Sequence, residues 1–373
     1  MPLFHESEAA TAAAFRRHTY RLTLLLAIAV LAQTGQGWSG PALAFHDGGS
    51  ASCGSCHVMH DAVPGQVQMN GRDPLLTAAT ASDVCLVCHV GADGVLADTP
   101  LLPGPERGAG NFVFLLEDNL NDAADGLTNP LDGSHAGHNI VSAAYGLAAD
   151  SRYAYGPGGS FPSSQLGCTS CHDPHGNGNF RMLYGAGEIQ GGAAVFTNAA
   201  PVAIGLDIAD PLQTESPTRH TAYLSGMSNW CANCHGSYHD HSGSSGFEHS
   251  FQERISAEEA SQYNRYEGSA SPSTGNVSTA YIPQVPFENT LATTTGTAGP
   301  SGISTVMCLT CHRAHASSAP ASGRWDFGVA DLNRDGLVSG SYALPSPYPG
   351  GGQGQLCEKC HGADPVAPFP QMN

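Results

Sequence analysis

All twelve cysteines of this 373-residue chain fall into six Cys-X-X-Cys-His motifs, which leaves none for a disulfide or a free thiol. The motifs are Cys53-Gly-Ser-Cys56-His57, Cys85-Leu-Val-Cys88-His89, Cys168-Thr-Ser-Cys171-His172, Cys231-Ala-Asn-Cys234-His235, Cys308-Leu-Thr-Cys311-His312 and Cys357-Glu-Lys-Cys360-His361. This is the covalent signature of c-type haem attachment. In each motif two thiols form thioethers to the haem vinyl groups, and the histidine that follows becomes the proximal iron ligand. Paired cysteines two residues apart also hold zinc or act as redox dithiols, but zinc needs no histidine directly after the second cysteine. Six such motifs, with no other cysteine in the chain, set the zinc reading aside in favour of six haems c.

The N-terminus fixes the compartment in which this attachment would occur. Arg16, Arg17 and Arg21 precede an apolar run, Leu22 to Ala32, that is too short to span a bilayer and matches a signal-peptide core. Ala42-Leu43-Ala44 then reads as a small-X-small cleavage site. The expectation is a signal peptide over 1–44 and a single hexahaem domain over 45–373, with an uncleaved anchor as the alternative. No later segment is apolar enough to cross a membrane.

Removing residues 1–44 from 373 leaves 329, or about 55 per haem, too little chain to build a separate core around each cofactor. The haems themselves must then supply the core. The chain has 46 Gly and 25 Pro, with Gly, Ser, Thr and Ala stretches such as Thr293 to Ser304. These residues punctuate regular structure. The expected fold class is therefore irregular coil and turns with short α-helices and little β, wrapped around a row of six stacked haems.

Only 12% of residues are Asp, Glu, Lys or Arg, against roughly 25% in an ordinary domain. Without residues 1–44 the chain has 30 acids and 11 bases, a net charge of −19. That balance excludes nucleic acid as a partner, because nothing here neutralises a phosphate backbone. It suits cationic partners or metal ions as well as simple solubility. Lys359 is the only lysine.

Histidine numbers decide what kind of haem protein this can be. Of 18 His, His5 and His18 leave with the signal peptide and six are proximal, so ten remain: His46, His60, His135, His138, His175, His220, His239, His241, His249 and His315. Six of these suffice to close every iron with a second histidine. A closed iron passes electrons, whereas a catalytic haem keeps an open position. Ligation by two histidines, without methionine, also predicts low reduction potentials. His60, His175 and His315 each lie three residues past a proximal histidine, and His239 lies four past. So tethered, each is placed to reach another haem more easily than the distal face of its own.

The words around the motifs narrow the comparison further. Phe45-His-Asp-Gly-Gly, Gly137-His-Asn-Ile-Val, Pro157-Gly-Gly-Ser-Phe-Pro with Gln165-Leu-Gly-Cys-Thr-Ser-Cys-His-Asp-Pro-His-Gly, Gly226-Met-Ser-Asn-Trp-Cys-Ala-Asn-Cys-His and Cys308-Leu-Thr-Cys-His-Arg-Ala-His-Ala-Ser span the mature chain. In content and order they resemble the OmcS family of outer-surface hexahaem cytochromes. The resemblance implies six bis-histidine haems in a continuous stack and a head-to-tail homopolymer. It also implies that the histidine three past the first motif, His60 here, crosses to the fifth haem (Cys308, Cys311, His312) of a neighbouring subunit. A heterologous contact of that kind generates an open filament.

If the trailing histidine of the first motif serves a haem two places back along such a filament, His175 would serve the first haem and His315 the third. His46, His138 and either His239 or His249 then remain for the even-numbered haems. The second motif, Cys88-His89-Val-Gly-Ala, lacks the trailing histidine that the family carries there, and His135, His220 and His241 have no counterpart. Asp331, Asn333 and Asp335, followed by Gly336, are spaced like the start of a calcium loop, but Tyr342 stands where a bidentate Glu belongs. An Asp- and Asn-rich turn accounts for the same residues.

Three functions fit these features. The first is a secreted, extracellular or outer-surface polymer that passes electrons from other multihaem cytochromes to acceptors such as metal oxides. The second is a monomeric periplasmic or surface shuttle. The third, a multihaem reductase, needs an open iron and a shaped pocket.

Overall fold

The computed structural model describes residues 46, 53–58, 76–91, 94–97, 108–116, 133–187, 195–206, 215–239, 254–327, 332, 347–348 and 356–362. The expected leader, residues 1–44, lies outside them, as do Asp331, Asn333 and Asp335 of the calcium-loop pattern. Residues 52–373 form one compact unit. No helix among the described residues is long and apolar enough to cross a membrane.

Regular structure concentrates where the cysteines are. Five of the six motifs lie in α-helical segments: α1 (Cys53–Cys56), α2 (Ala81–His89), α3 (Met227–His239), α5 (Cys308–Cys311) and α6 (Glu358–His361, with Cys357 as its N-cap). The motif at Cys168–Ser170 forms a 3₁₀ turn instead. The intervening α4 (Ala257–Arg265) carries no motif. Two short strands, β1 (Val202–Ile204) and β2 (Ala222–Ser225), pair antiparallel, with Ala203 opposite Tyr223 and Ile204 opposite Ala222. The rest of the described chain is coil, turns and 3₁₀ segments, in line with the fold class expected from the glycine and proline content.

Local chemistry explains where the longer helices start. At α2, Thr80 Oγ1 accepts the Asp83 amide at 3.0 Å while the Asp83 carboxylate accepts the Thr80 amide at 3.1 Å. At α4, Ser256 and Glu259 make the same reciprocal pair at 3.1 and 2.8 Å. Both are capping boxes, which satisfy amides the first turn leaves unpaired. Asp83 also accepts the Ser142 hydroxyl, so this cap ties α2 to the segment preceding the third motif. Thr80→Ala should cost about 1 kcal/mol, read as a lower thermal midpoint with an unchanged haem spectrum.

Three apolar clusters flank the motifs. One gathers Leu86, Phe112, Val113, Phe114 and Ile140 beside the second and third motifs, with Cys168 packed against it. A small one joins Tyr223, Met227, Met307 and Leu309 between the fourth and fifth. The largest, around Tyr263, Tyr266, Tyr281, Phe287 and Trp325, packs against Cys311, Cys357 and Cys360 of the last two. The cores thus gather beside the cysteine motifs and not around a sheet or bundle.

Candidate haem-ligating residues

Each motif is a single turn closed by the backbone. The histidine amide bonds the carbonyl of the first cysteine at His57 (2.8 Å), His172 (3.0 Å), His312 (3.0 Å) and His361 (3.0 Å). Residues three apart on a turn share a face, so the two thiols point together. The chain then leaves the helix at or beside the histidine. His312 is extended at φ −111°, ψ 159°, and His235 breaks α3 at φ −120°, ψ 39°.

The imidazoles are aimed by backbone carbonyls. Nδ1–H of His172 donates to Arg181 O at 2.8 Å, of His235 to Pro157 O at 2.7 Å, of His312 to Ala321 O at 2.9 Å and of His138 to Ala314 O at 2.7 Å. Such a bond fixes the tautomer and leaves Nε2 as the lone-pair nitrogen, the arrangement found at metal-bound histidines. Burial lowers the pKa of His172, His235 and His312. Burial of the ring nitrogens, then the neighbouring His235, pushes His138 down to about 4, although the residue as a whole is exposed. Burial, then His172 and His138, pushes His315 down to about 3. At neutral pH these rings therefore offer a free lone pair.

Two of those carbonyls are delivered by strained backbone. Arg181 and Met182 (φ 52° and 55°) and Ala321 and Ser322 (φ 54° and 57°) are the non-glycine residues in the left-handed region among the described chain. Each costs of order 1 kcal/mol or more, and both pairs turn a carbonyl onto a proximal histidine. Around them the third and fifth motifs repeat each other. Asp173 N bonds Met182 O at 2.8 Å as Arg313 N bonds Ser322 O at 2.7 Å, and Tyr184 N bonds Cys171 O at 3.0 Å as Arg324 N bonds Cys311 O at 2.7 Å. The upstream partners repeat as well, since Ser82 Oγ accepts the Cys168 amide at 3.3 Å and Ser228 Oγ the Cys308 amide at 3.0 Å.

Glycine permits two close approaches. A Cβ at Gly159 would lie 1.8 Å from Cys234 O, so only glycine lets the Pro157 loop run beneath the fourth motif. A Cβ at Gly137 would lie 2.2 Å from His315 O, which allows His138 N to bond that carbonyl at 2.9 Å.

Three pairs of imidazoles face each other. The ring centres of His57 and His175 are 6.2 Å apart with planes 10° from parallel, those of His172 and His315 are 6.4 Å apart with planes at 65°, and those of His138 and His235 are 6.0 Å apart with planes at 47°. An imidazole nitrogen binds a transition-metal ion at about 2 Å with its ring centre about 1 Å behind, so two rings on opposite sides of one iron have centres about 6 Å apart. These residues therefore fit bis-histidine haem. The motifs also follow one another in space. Cys56 lies within electrostatic reach of Cys85, Cys171 of Cys234, and Cys311 of both Cys357 and Cys360, while the Cys85 and Cys168 thiols, and those of Cys231 and Cys308, are close enough to shift each other's ionisation.

The remaining candidates divide plainly. His60 and His249 lie outside the described residues, as does the His239 side chain. His46, His89 and His361 are described as well. His220 is structural: its Nδ1 faces Thr221 O and its Nε2 faces Gly296 O, both at 2.9 Å, and its ring stacks on Tyr281 at 3.8 Å. His135 bonds Arg152. Among the described residues no group of three or more His, Cys, Asp or Glu is arranged to hold a lone metal ion. The carbonyl partners and the two upstream serines are the functional elements that motif reading misses. The serines alone carry a signal, as Ser-X-X-Cys before the second and fourth motifs.

No protein-family model matches the chain. It is 31% identical over 303 residues to the C-type cytochrome OmcS of Geobacter sulfurreducens, covering 66% of this chain and 69% of that protein. The fold is similar to that of the Outer Membrane Cytochrome S filament from the same organism, with a TM-score of 0.68, 27% identity and coverage of 86% of this chain and all of that one. The cryo-EM structure of the OmcS nanowires gives a TM-score of 0.67 at the same identity and coverage.

Proposed function

This chain belongs to the family of the c-type cytochrome OmcS, and on that premise we propose that it is the repeating subunit of a secreted filament that conducts electrons outside the cell. In this reading the twelve cysteines anchor six haems c and every iron is closed by two imidazoles. The observation that carries it is the spacing of the three facing pairs, His57 with His175, His172 with His315 and His235 with His138. An iron closed on both sides has no position for a substrate, so these residues serve electron passage and not catalysis.

When bound, each haem supplies a one-electron iron couple, set low by two histidine ligands. The chain's own residues do the rest. Carbonyls of Arg181, Pro157, Ala321 and Ala314 hold the imidazoles in one tautomer and orientation. Successive cysteine pairs keep neighbouring cofactors close, and the apolar clusters around them exclude water. His60 is the intermolecular ligand of this proposal, bound to the fifth haem of the next subunit. The partners are then other copies of the chain, with multihaem cytochromes or metal oxides at the ends.

The test is cryo-electron microscopy of the haem-loaded protein, wild type against His60→Ala. Filaments in the wild type that vanish in the variant are expected. Discrete particles in both would overturn the polymer and leave a soluble shuttle, whereas filaments in both would remove His60 from the contact.

A further inference from the structure

The third and fifth motifs share one backbone frame, so residues at matching places in that frame can be compared directly. After the proximal histidine comes Asp173 in the third motif and Arg313 in the fifth. At the place where an amide bonds back to the second cysteine stand Tyr184 and Arg324 respectively. The frame is the same and the charge differs.

The two arginines are also buried, which makes their charge count. Arg313 is 6% exposed and Arg324 3%. Arg324 donates to Leu309 O at 2.5 Å, inside the fifth motif, to Pro283 O at 3.0 Å and to Gly108 O at 3.2 Å. No carboxylate lies within ion-pair distance of it among the described residues. It lies within electrostatic reach of both Cys311 and His312. Asp173, by contrast, is 24% exposed and lies 3.9 Å from His175.

Acids act near both motifs, and Glu215, which acts on Tyr223 alongside Arg324 and Arg313, offsets part of the arginine charge. Asp83 acts on Cys168 and Glu288 on Cys308, so each motif has one acid at its first cysteine. Arg181 is near His172 but exposed, with its guanidinium over the Phe180 ring at 5.7 Å, and water screens it. The next motif adds to the asymmetry. Lys359, 1% exposed, donates to Tyr266 O at 2.7 Å, sits 4.5 Å from the Tyr263 ring centre and lies within reach of Cys360.

We propose that Arg313 and Arg324 hold the fifth haem at a higher reduction potential than the third, so that the electron path through the chain is stepped and not level. A reduced iron carries one positive charge less than an oxidised one, and buried cations beside it favour the reduced form. An electron passing from the third haem to the fifth leaves the third oxidised and the fifth reduced, with no other group transferred. The proposal rests on the reading of the motifs as haem sites but not on polymerisation.

The test is a spectroelectrochemical titration of the haem-loaded protein, with haem counted by pyridine haemochrome. Arg313→Gln/Arg324→Gln should lower the highest-potential component by about tenfold in electron occupancy, or about 59 mV for a one-electron couple. Arg324→Lys, which keeps the charge, should hold it near the wild-type value. Asp173→Asn, which keeps an oxygen to accept the His175 amide, should raise a different component. An unchanged titration in the double variant with six haems retained would overturn the proposal. If the double variant does not load, Asp173→Asn decides: an upward shift supports the proposal and no shift overturns it. A wild-type count below six haems would overturn the haem reading itself, and this proposal with it.

Discussion

His315→Ala should leave five low-spin irons and create one high-spin iron. The His315 ring faces His172 at 6.4 Å and is held by stacking on Phe112 at 4.5 Å, so the alanine variant removes one side of the pair and leaves the rest of the motif intact. Electron paramagnetic resonance or resonance Raman would read the change directly. His175→Ala and His138→Ala should each give the same single conversion at a different haem, since their rings face His57 and His235. The loss in stability should be large as well. An iron held between residues 172 and 315 would close a long loop, and by the chain-entropy argument used for disulfides such a link would be worth about 5 kcal/mol. Six low-spin irons in His315→Ala would sink the pairing.

Acid should unfasten the same ligands. Burial holds His315 near 3 and His138 near 4 in the folded chain, against about 6.5 when unfolded. Because the unfolded state takes up protons first, stability is unaffected above about pH 6.5 and falls as pH drops from there toward the folded values. For His315 the full loss is on the order of 4 kcal/mol, reached near pH 3. His138 is exposed, so water screens its share. Iron bound to the same lone pair favours the neutral ring further, so the low-spin spectrum should persist to lower pH than it would for exposed histidines. Thermal midpoints measured from pH 7 to pH 3 should decline over this window. A midpoint that rose on acidification would contradict the burial argument.

What the sequence made legible follows from where the chemistry resides. Thioether attachment needs two thiols and an imidazole in one turn, so it is written contiguously and can be read at Cys53 as easily as at Cys357. His175 and His315 were marked by their repeated distance from a motif. His138 has no such mark; it reaches His235 only because Gly137 packs against His315 and Ala314 offers its carbonyl. The carbonyls of Arg181, Pro157 and Ala321 were invisible for a different reason. A backbone oxygen has no residue type, and any side chain that tolerates the turn can carry it. The sparse regular structure was foreseeable from glycine and proline content, but the β1–β2 hairpin was not, since its strands are three and four residues long. The repeat between the third and fifth motifs was half visible in Cys-His-Asp-Pro-His and Cys-His-Arg-Ala-His. Its left-handed pairs share no residue type, so only their backbone reveals them.

The thiol contacts between motifs constrain how the protein can mature. The Cys85 and Cys168 thiols lie close enough to shift each other's ionisation, as do those of Cys231 and Cys308. A bare chain that reached this fold in an oxidising compartment would hold each of those pairs ready for thiol–disulfide chemistry, and a bridge between motifs would remove one anchor from each of two haems. If the motifs carry haem as proposed, their thioethers would have to be made while the motifs are still apart. On that reading compaction would come last, because the closeness that suits electron transfer is the same closeness that works against folding first.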